Sequence, residues 1–522
     1  MDLGRQEVGD RDLRRRLTRR PAPTGSGGPP GGRIGDLATT SAPRAGSPER
    51  ELRIRLALGA IVALAGFGAL WRLSRPDWKV DESLDGAFAW EAVRHGTWSL
   101  EDGHPVFVRW FLGAGQLAFG QDRLGIRIAP AIASIAAVVL LYVVGRALAG
   151  WRTGLLAAAM WAVLPRALVL GHDVVGPLRG DRYGYLEPFM VVVLLGATLT
   201  GWRWVQRAAW PQALATGVLV GLAAAFKPTA VVVLLPIVAT AAIRHRSLRT
   251  VGPQATAIAG LAVATFVVTY LPLGTDAPSH IGELFRYQLD HARTGHVLVV
   301  DGQATTSQPR WAHLLYQWRG MGPLACLGLL VGFAGAVADH RRPATRYVAA
   351  IWATLLGFHV LSAVALPHYY LLWAPVSVLL AAMGLVHLLA PVRTPTVRAL
   401  GAAGVALLAA AGIVGLVDVA TVDHGDYGRL VAELDRRGIE PTAVRYQGEA
   451  VDRYFPNAPA GQIGFSDPNA PFDLLVLDPR DVPMLPAGAA GAERARAAAA
   501  GLAEHRIGRL EVWFREQPAD GP

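Results

Sequence analysis

The apolar run IRLALGAIVALAGFGALWRL, residues 54–73, decides the fold class of this chain. A run of about 20 such residues is long enough to cross the hydrocarbon core of a bilayer, about 30 Å thick, as an α-helix. Further apolar runs follow, and we predict a membrane-crossing helix for each of them: 126–146, 153–170, 187–205, 212–226, 228–243, 253–272, 320–338, 347–366, 369–390 and 398–420. The sequence therefore predicts an all-α polytopic membrane protein with about 11 transmembrane helices.

The composition supports this fold class. Hydrophobic residues make up 52% of the chain and charged residues only 17%, whereas soluble proteins carry about 25% charged residues. The formal net charge of +10 is compatible with nucleic-acid binding, but the basic residues lie in short runs between apolar segments, so we expect no nucleic-acid partner. The single cysteine, Cys326, excludes an intrachain disulfide and a metal site built from several cysteines.

The short loops predict the orientation in the membrane. Their basic residues fall on the same side as the basic N-terminal segment: Arg146, Arg152, Arg203, Arg207, residues 244–249, residues 340–346, Arg393 and Arg398. By the positive-inside rule that side is cytoplasmic. The long loops, at about 75–125, 171–186 and 273–318, and everything after residue 420 then lie on the other side. We predict a multi-pass protein of the plasma (inner) membrane with a cytoplasmic N-terminus and an extracytoplasmic C-terminus.

Composition also divides the chain into domains. Residues 1–50 are rich in Arg, Pro, Gly and Ser, which is typical of a disordered tail, here cytoplasmic. Residues 51–420 form the transmembrane domain. Within it, the apolar but short segment 104–120 predicts an interfacial or re-entrant helix rather than a full span. Residues 421–522 lose the long apolar runs and alternate helix and strand patterns, so we predict a small soluble extracytoplasmic α/β domain.

Two adjacent carboxylates, Asp81 and Glu82, open the first outer loop within KVDESLDGAFAWEAVRHGTW, residues 79–98. An arbitrary acidic pair in a loop is most often only solvated. Here further titratable groups, including His104, follow in an interfacial segment, where polar groups are costly and often functional. A carboxylate at this depth can act as the general base for an acceptor hydroxyl that attacks a lipid-linked electrophile.

Three basic residues are candidate ligands of an anionic group on the same side: Arg127, Arg182 and Lys227. Converging cations bind phosphate or pyrophosphate, Arg as a bidentate donor and Lys as a point charge. The alternative for the arginines is that they only reach towards the lipid headgroups. Lys227 stands out because the chain has only one other lysine. Glu187 either orients one of these cations or complements the dipole of the helix that it begins.

Aromatic and histidine residues complete the candidate site. His368, Tyr369 and Tyr370, in the segment 366–380, lie at the predicted outer edge of a helix, where they either anchor the interface or pack against a lipid donor. The histidines between 280 and 296 lack the i, i+4 spacing of a helical zinc pair, so we expect no metal site there.

Taken in order, these motifs resemble the GT-C glycosyltransferases, with protein O-mannosyltransferases and lipid A aminoarabinose transferases as the nearest groups. The matching elements are Asp81 and Glu82, then GTW at 96–98, His104 with Pro105, Arg127 in RLGIRIAPAIAS, RYGYLE from Arg182 to Glu187, GLAAAFK ending at Lys227, and YYLLWAP at 369–375. The resemblance spans roughly residues 54–390. Two positions differ from the relatives' pattern, because Val106 follows Pro105 and Glu187 replaces Asp.

The resemblance implies the inverting transfer of a sugar from a polyprenyl-phosphate donor to a protein, lipid or glycan acceptor on the extracytoplasmic side. Asp81 would be the general base, and Glu82 would either support it or position the acceptor. The donor phosphate would bind three cations: Arg127, Arg182 and Lys227. The other predicted substrate-binding residues are His104, Glu187, His368, Tyr369 and Tyr370. No cofactor is implied, and a divalent metal, which some relatives use, is not expected.

Two rival interpretations remain open at this point. A transporter or flippase of an anionic lipid-linked sugar would show inverted repeats and polar residues near the middle of several helices, and we find neither in the sequence. A structural or assembly protein would not need carboxylates and cations gathered at one face. The transferase interpretation therefore depends on Asp81 lying close to the predicted cations.

Overall fold

The computed structural model describes residues 47–98, 103–168, 178–295, 298–300, 303–306, 309–362, 364–390, 395–421, 425–448, 450–479, 481–482 and 485–516. The chain divides into two compact units, Met1–Glu51 and Leu52–Pro522. The predicted tail lies outside the described residues as far as residue 46, and Pro48 begins the first helix.

Helices dominate the first 421 residues. In chain order they are α1 (Pro48–Leu70), α2 (Val80–His95), α3 (Val108–Phe119), α4 (Arg123–Ala149), α5 (Trp151–Val163), α6 (Glu187–Arg207), α7 (Trp210–Phe226), α8 (Leu234–His245), α9 (Leu248–Val268), α10 (Ala277–Thr294), α11 (Ala312–Met321), α12 (Pro323–Ala338), α13 (Pro343–Leu361), α14 (Ala374–Leu389) and α15 (Pro395–Thr421). Two short hairpins interrupt them, with strands β1 (Ala167–Leu168), β2 (Leu178–Arg179), β3 (Leu298–Val300) and β4 (Gln303–Thr305).

Each predicted apolar run overlaps a helix, which confirms the helical membrane fold class. By length and composition, six helical segments of the described residues can cross a membrane. A seventh arises if α11 and α12, bent by 110° to each other, form one span. Helices α7 and α14 and part of α15 are apolar but shorter, so the number of about 11 spans stays a prediction.

One predicted span is too long. The run 153–170 was expected to be helical throughout, but α5 ends at Val163 and residues 167–168 form a strand. Pro165 explains the early end, because its ring disfavours helical geometry at Leu164 and it has no N–H to donate. The chain therefore leaves the helix where the second outer loop begins.

The helices approach each other closely through small residues, as is common in membrane bundles. Between α12 and α14, a Cβ atom added to Gly384 would lie 1.8 Å from the carbonyl oxygen of Gly332. On the outside, large apolar side chains remain uncovered, for example Leu235, Ile243 and Val337 at 69%, 74% and 71% exposure. Apolar surface of this extent fits contact with lipid.

The predicted interfacial segment 104–120 contains α3, which packs against α2 and α4. Gly113 and Gly115 allow this close packing, since a Cβ atom at Gly115 would lie 2.3 Å from the carbonyl oxygen of Gly125. Gln116 donates a hydrogen bond to the carbonyl of Gly86 at 2.9 Å and joins α3 to α2. Helix α2 is therefore held firmly along its length.

The described residues after 421 form helices and a small sheet, as the predicted fold class expects, and the domain boundary at residue 420 stays a prediction. These elements are α16 (Asp426–Arg436), β5 (Val444–Gln447), β6 (Ala460–Gln462), β7 (Leu474–Leu477), α17 (Ala489–Ala499), β8 (Ala503–Ile507) and β9 (Leu510–Phe514). The sheet order is β6-β5-β7-β9-β8, with β5 parallel to β6 and β7, and β9 antiparallel to β7 and β8. Helices α16 and α17 bring apolar residues to two separate clusters on this sheet.

Candidate active site

Asp81 and Glu82 lie in the first turn of α2, a position where carboxylates complement the helix dipole. Successive residues of a helix point in directions about 100° apart. Glu82 is therefore fully buried, whereas Asp81 is half-buried and faces another part of the molecule. The two carboxylates, adjacent in sequence, have different partners.

Glu82 binds Arg127 of α4 with both carboxylate oxygens. Arg127 donates from Nε to Oε1 at 2.5 Å and from Nη2 to Oε2 at 3.0 Å. Its remaining hydrogens go to the carbonyls of Leu73, Pro76 and Asp77, at 3.1, 2.8 and 2.8 Å. All five N–H groups of the guanidinium are thus used, two of them by Glu82 in α2 and three by carbonyls of the loop between α1 and α2.

Arg182 also binds backbone rather than an open site. Its guanidinium donates to the carbonyl of Trp71, at the end of α1, and to that of Ala420, near the end of α15, at 3.3 Å. Burial lowers the pKa of Arg182 to about 10, so the side chain stays charged at neutral pH. Both arginines thus donate to backbone carbonyls, and their binding of the donor phosphate stays a prediction.

Lys227 lies at the centre of the second group of predicted residues. It follows the last residue of α7 and donates from Nζ to Oε1 of Glu187, the first residue of α6, at 2.5 Å. Its ammonium lies 3.8 Å from the ring centroid of Tyr369, a cation–π contact. Lysine has three N–H donors, and this side chain keeps 12% of its surface exposed, so a further acceptor can reach it.

His368 joins the same group. Its Nε2 lies 3.6 Å from Oε1 of Glu187, and its ring stacks on that of Tyr185 with centroids 5.1 Å apart. Burial lowers the pKa of His368, although the Glu187 carboxylate acts in the opposite direction. The ring is therefore neutral at pH 7 and able to accept or donate a hydrogen bond.

Asp81 lies close enough to this group to act electrostatically on Lys227, His368 and Tyr369. His104 is a neighbour as well, since its charge acts on His368. The structure therefore places the half-buried Asp81, in the first turn of α2, in the neighbourhood of Lys227, which follows α7. We call this set, Asp81, His104, Glu187, Lys227, His368 and Tyr369, the acid–lysine site.

Tyr370 does not belong to the acid–lysine site. Its hydroxyl donates to the carbonyl of Ala167 in β1 at 3.1 Å, and the side chain is fully buried. Tyr369 and Tyr370 thus contact different parts of the molecule, Lys227 in the first case and strand β1 in the second. The substrate contact of Tyr370 stays a prediction, and in this structure its hydroxyl supports the strand β1.

The sequence interpretation did not include a second charged cluster beside the site. Asp181 binds two buried arginines, Arg179 from Nε at 2.5 Å and Arg166 from Nη2 at 3.0 Å, and accepts a hydrogen bond from Ser134. A small cavity connects this cluster to Glu187. The only sequence signal was the density of arginines around one acid in the second outer loop. Asp85, which binds His104 through both oxygens at 3.2 Å, also had no assigned role.

The described residues contain no group of three or more His, Cys, Asp or Glu side chains placed to hold a metal. Asp85 and His104 contact each other, and His296 lies outside the described residues. The expectation that no metal is required therefore stays a prediction.

Known proteins match both the sequence and the fold. Residues 103–270 match the model of the family described as dolichyl-phosphate-mannose-protein mannosyltransferase. This segment includes His104, Glu187 and Lys227 of the acid–lysine site.

The fold is similar to that of ArnT from Cupriavidus metallidurans bound to undecaprenyl phosphate, with a TM-score of 0.59, 14% identity and coverage of 88% of this chain and 97% of that chain. The apo state of the same protein gives a TM-score of 0.58 at 14% identity, with 89% and 98% covered.

A second similar fold is the archaeal oligosaccharyltransferase AglB from Archaeoglobus fulgidus in complex with an inhibitory peptide and a dolichol-phosphate, with a TM-score of 0.52, 13% identity and coverage of 83% and 70%. At these identities the likeness concerns the fold. The predicted resemblance to GT-C glycosyltransferases is confirmed at the level of the fold: a mannosyltransferase family model matches residues 103–270, and the fold is similar to those of ArnT and AglB.

Proposed function

We propose that the protein is a membrane glycosyltransferase that moves a sugar from a polyprenyl-phosphate donor to an acceptor hydroxyl on the extracytoplasmic side, with inversion. One observation carries the proposal: the half-buried Asp81 carboxylate lies within electrostatic range of Lys227, whose side chain is 12% exposed. A general base and a cation for the leaving phosphate are the two groups that this reaction needs.

Asp81 takes the proton of the acceptor hydroxyl as the acceptor oxygen attacks the anomeric carbon of the sugar. The bond between that carbon and the phosphate oxygen breaks, and the lipid phosphate leaves with the bonding electrons. A single displacement from the opposite face inverts the anomeric configuration. Lys227 stabilises the negative charge that grows on the phosphate, because a fixed cation costs no reorganisation during the reaction.

The other residues of the acid–lysine site place these two groups. Glu187 and the ring of Tyr369 fix the Lys227 ammonium from two sides. Glu82 does not touch the cluster, but its bond to Arg127 anchors the start of α2 and therefore the position of Asp81. We propose that His104 and His368 bind hydroxyls of the sugar or the acceptor.

The class of donor is supported by the relatives. The ArnT and AglB structures contain undecaprenyl phosphate and dolichol-phosphate, and both ligands are long polyprenyl chains with one phosphate. For this chain we propose the same class of lipid donor and a protein, lipid or glycan acceptor. The C-terminal α/β domain then lies on the extracytoplasmic side with the site, and the N-terminus is cytoplasmic.

The test is sugar transfer by membranes that contain the wild type, Asp81→Asn or Asp276→Asn. The donors are a panel of radiolabelled polyprenyl-phosphate sugars, and the acceptors are those of the host envelope. Asn keeps the shape of Asp81 but cannot take a proton, so we expect a loss of transfer of about 100-fold or more. Asp276 is exposed and lies outside the site, so its variant controls for the loss of an outer acid. Equal transfer by Asp81→Asn and the wild type would refute the role of Asp81.

A further inference from the structure

The loop between α1 and α2 is held by the C-terminal α/β domain as well as by Arg127. Asp77, in this loop, is buried, and one of its carboxylate oxygens accepts hydrogen bonds from the backbone N–H groups of Asp426 and Tyr427 at 3.0 and 3.4 Å. These are the first two residues of α16. A side chain of the loop thus caps a helix of the other domain, where a negative charge is favoured.

Arg509 reinforces this contact from the hairpin between β8 and β9. Its guanidinium binds three buried carboxylates: Asp426, Asp478 at 3.0 Å and Asp77 at 3.5 Å. Arg509 therefore holds together two acids of the C-terminal domain, Asp426 and Asp478, and Asp77 of the loop between α1 and α2. Gly508 makes room for this arrangement, since a Cβ atom there would lie 1.8 Å from Oδ1 of Asp426.

Two further contacts join the same surfaces. The hydroxyl of Tyr454 donates to the other oxygen of Asp77 at 3.0 Å and accepts from the backbone N–H of Trp78 at 3.0 Å. Arg453 donates to the carbonyl of Ser83 in α2 at 2.6 Å. The C-terminal domain therefore contacts the chain on both sides of Asp81.

The contacts form a continuous path to the site. The side chain of Asp77 binds Arg509, and its carbonyl accepts a hydrogen bond from Arg127 at 2.8 Å. Arg127 in turn holds Glu82, the neighbour of Asp81. We infer that the C-terminal domain is a working part of the transferase, and that Arg509 is the positioning residue that fixes the loop 71–79, and through it Asp81, by way of Asp77. This inference rests on the proposed function.

The kinetic test compares Arg509→Met, Arg509→Lys and Arg494→Met. Arg494 is the matched control, because it forms a bidentate ion pair with Glu511 in the same domain, away from the loop. Loss of the Arg509 guanidinium should displace Asp81 but leave Lys227 in place. We expect kcat to fall by about 30-fold in Arg509→Met with a nearly unchanged donor KM, because misplacement of about 1 Å can cost about 100-fold. Arg509→Lys should retain part of kcat, and Arg494→Met should match the wild type.

A second measurement needs no donor and reports the loop directly. Ser83→Cys places a buried thiol next to the Arg453 contact, and the natural Cys326 is buried and gives a low background. We expect a maleimide to label Cys at 83 slowly in otherwise wild-type protein and about tenfold faster when Arg509→Met is added, since the loop then opens locally. Arg494→Met should leave the labelling rate unchanged.

If Arg509→Met does not accumulate in membranes, Tyr454→Phe takes its place in the same measurements. It removes only the hydroxyl that joins Asp77 to Trp78, and its ring can keep its stack on Tyr427. Faster labelling together with a lower kcat supports the inference. Slow labelling or an unchanged kcat in the variant that accumulates overturns it. Normal transfer by Asp81→Asn would overturn the proposed function instead, and the labelling rates would still decide whether Arg509 holds the loop.

Discussion

The Glu82–Arg127 pair and the Glu187–Lys227 pair are both buried carboxylate–cation contacts. They differ in whether the cation keeps an N–H donor available for a ligand. In the first, five N–H groups meet a carboxylate and three carbonyls, so the cation has no hydrogen left for a ligand. In the second, the ammonium meets one carboxylate oxygen and the face of an aromatic ring, and part of its surface stays exposed.

This difference shows which role each type of cation has in this helical bundle. A guanidinium is a planar fork that can tie several carbonyls of an irregular loop together, whereas an ammonium is a compact point charge on a flexible stem. A guanidinium is therefore suited to hold a loop in one conformation. An ammonium is suited to bind a phosphate that arrives and leaves.

The largest effect should come from Lys227→Met. We expect kcat/KM to fall by roughly 100-fold or more, because the leaving phosphate loses its fixed cation. The donor KM should rise and the acceptor KM should stay the same, and binding of undecaprenyl phosphate as a probe should weaken. Lys227→Arg is the matched variant, since it keeps the charge and should retain part of the activity. An unchanged donor KM and unchanged binding of the probe in Lys227→Met would contradict this role.

Arg127→Met should affect stability more than chemistry. The substitution leaves Glu82 buried without its partner and frees three loop carbonyls, a kind of change that costs about 3–5 kcal/mol. We expect a clear drop in the thermal unfolding temperature of the purified protein. The control is Arg123→Met, which removes an arginine that is less buried and binds the carbonyls of Arg75 and Pro76 in the same loop.

The comparison between these two variants is decisive for Arg127. If Arg127→Met unfolds at the same temperature as Arg123→Met, the support role is wrong. If it is stable but no longer binds undecaprenyl phosphate, the original prediction of a phosphate ligand is right.

The sequence predicted the helical membrane fold and the small C-terminal α/β domain because both follow from patterns along the chain. Apolar runs of spanning length and the change of pattern after residue 420 are local signals. The early end of α5 was missed because length and hydropathy were given more weight than Pro165.

The site was predictable in its members but not in their roles. The sequence names both Asp81 and Lys227, and the structure places them within electrostatic range of each other, while their roles stay predictions. The sequence alone does not distinguish the roles of Arg127 and Lys227. The difference lies in the number of backbone carbonyls that each cation contacts. For Arg127 this number depends on the path of a loop that is distant from it in sequence. The contact between Asp77 and Arg509 joins residues more than 430 positions apart, which no local pattern can reveal.

The smallest effect should come from shortening the acidic side chain of each pair, Glu187 or Glu82, by one methylene. The flexible stem of Lys227 can follow a shorter carboxylate at position 187. We therefore expect Glu187→Asp to change kcat/KM by less than about fivefold, which corresponds to about 1 kcal/mol.

The same substitution at Glu82 should behave differently. The Arg127 fork is fixed by three carbonyls and cannot move towards a shorter carboxylate, so Glu82→Asp should lose one of its two hydrogen bonds and lower the unfolding temperature measurably. Both variants are measured for transfer and for thermal unfolding. Equal tolerance at the two positions would show that the rigid and the flexible pair are not distinct, and the assignment of Lys227 alone to the phosphate would lose its structural basis.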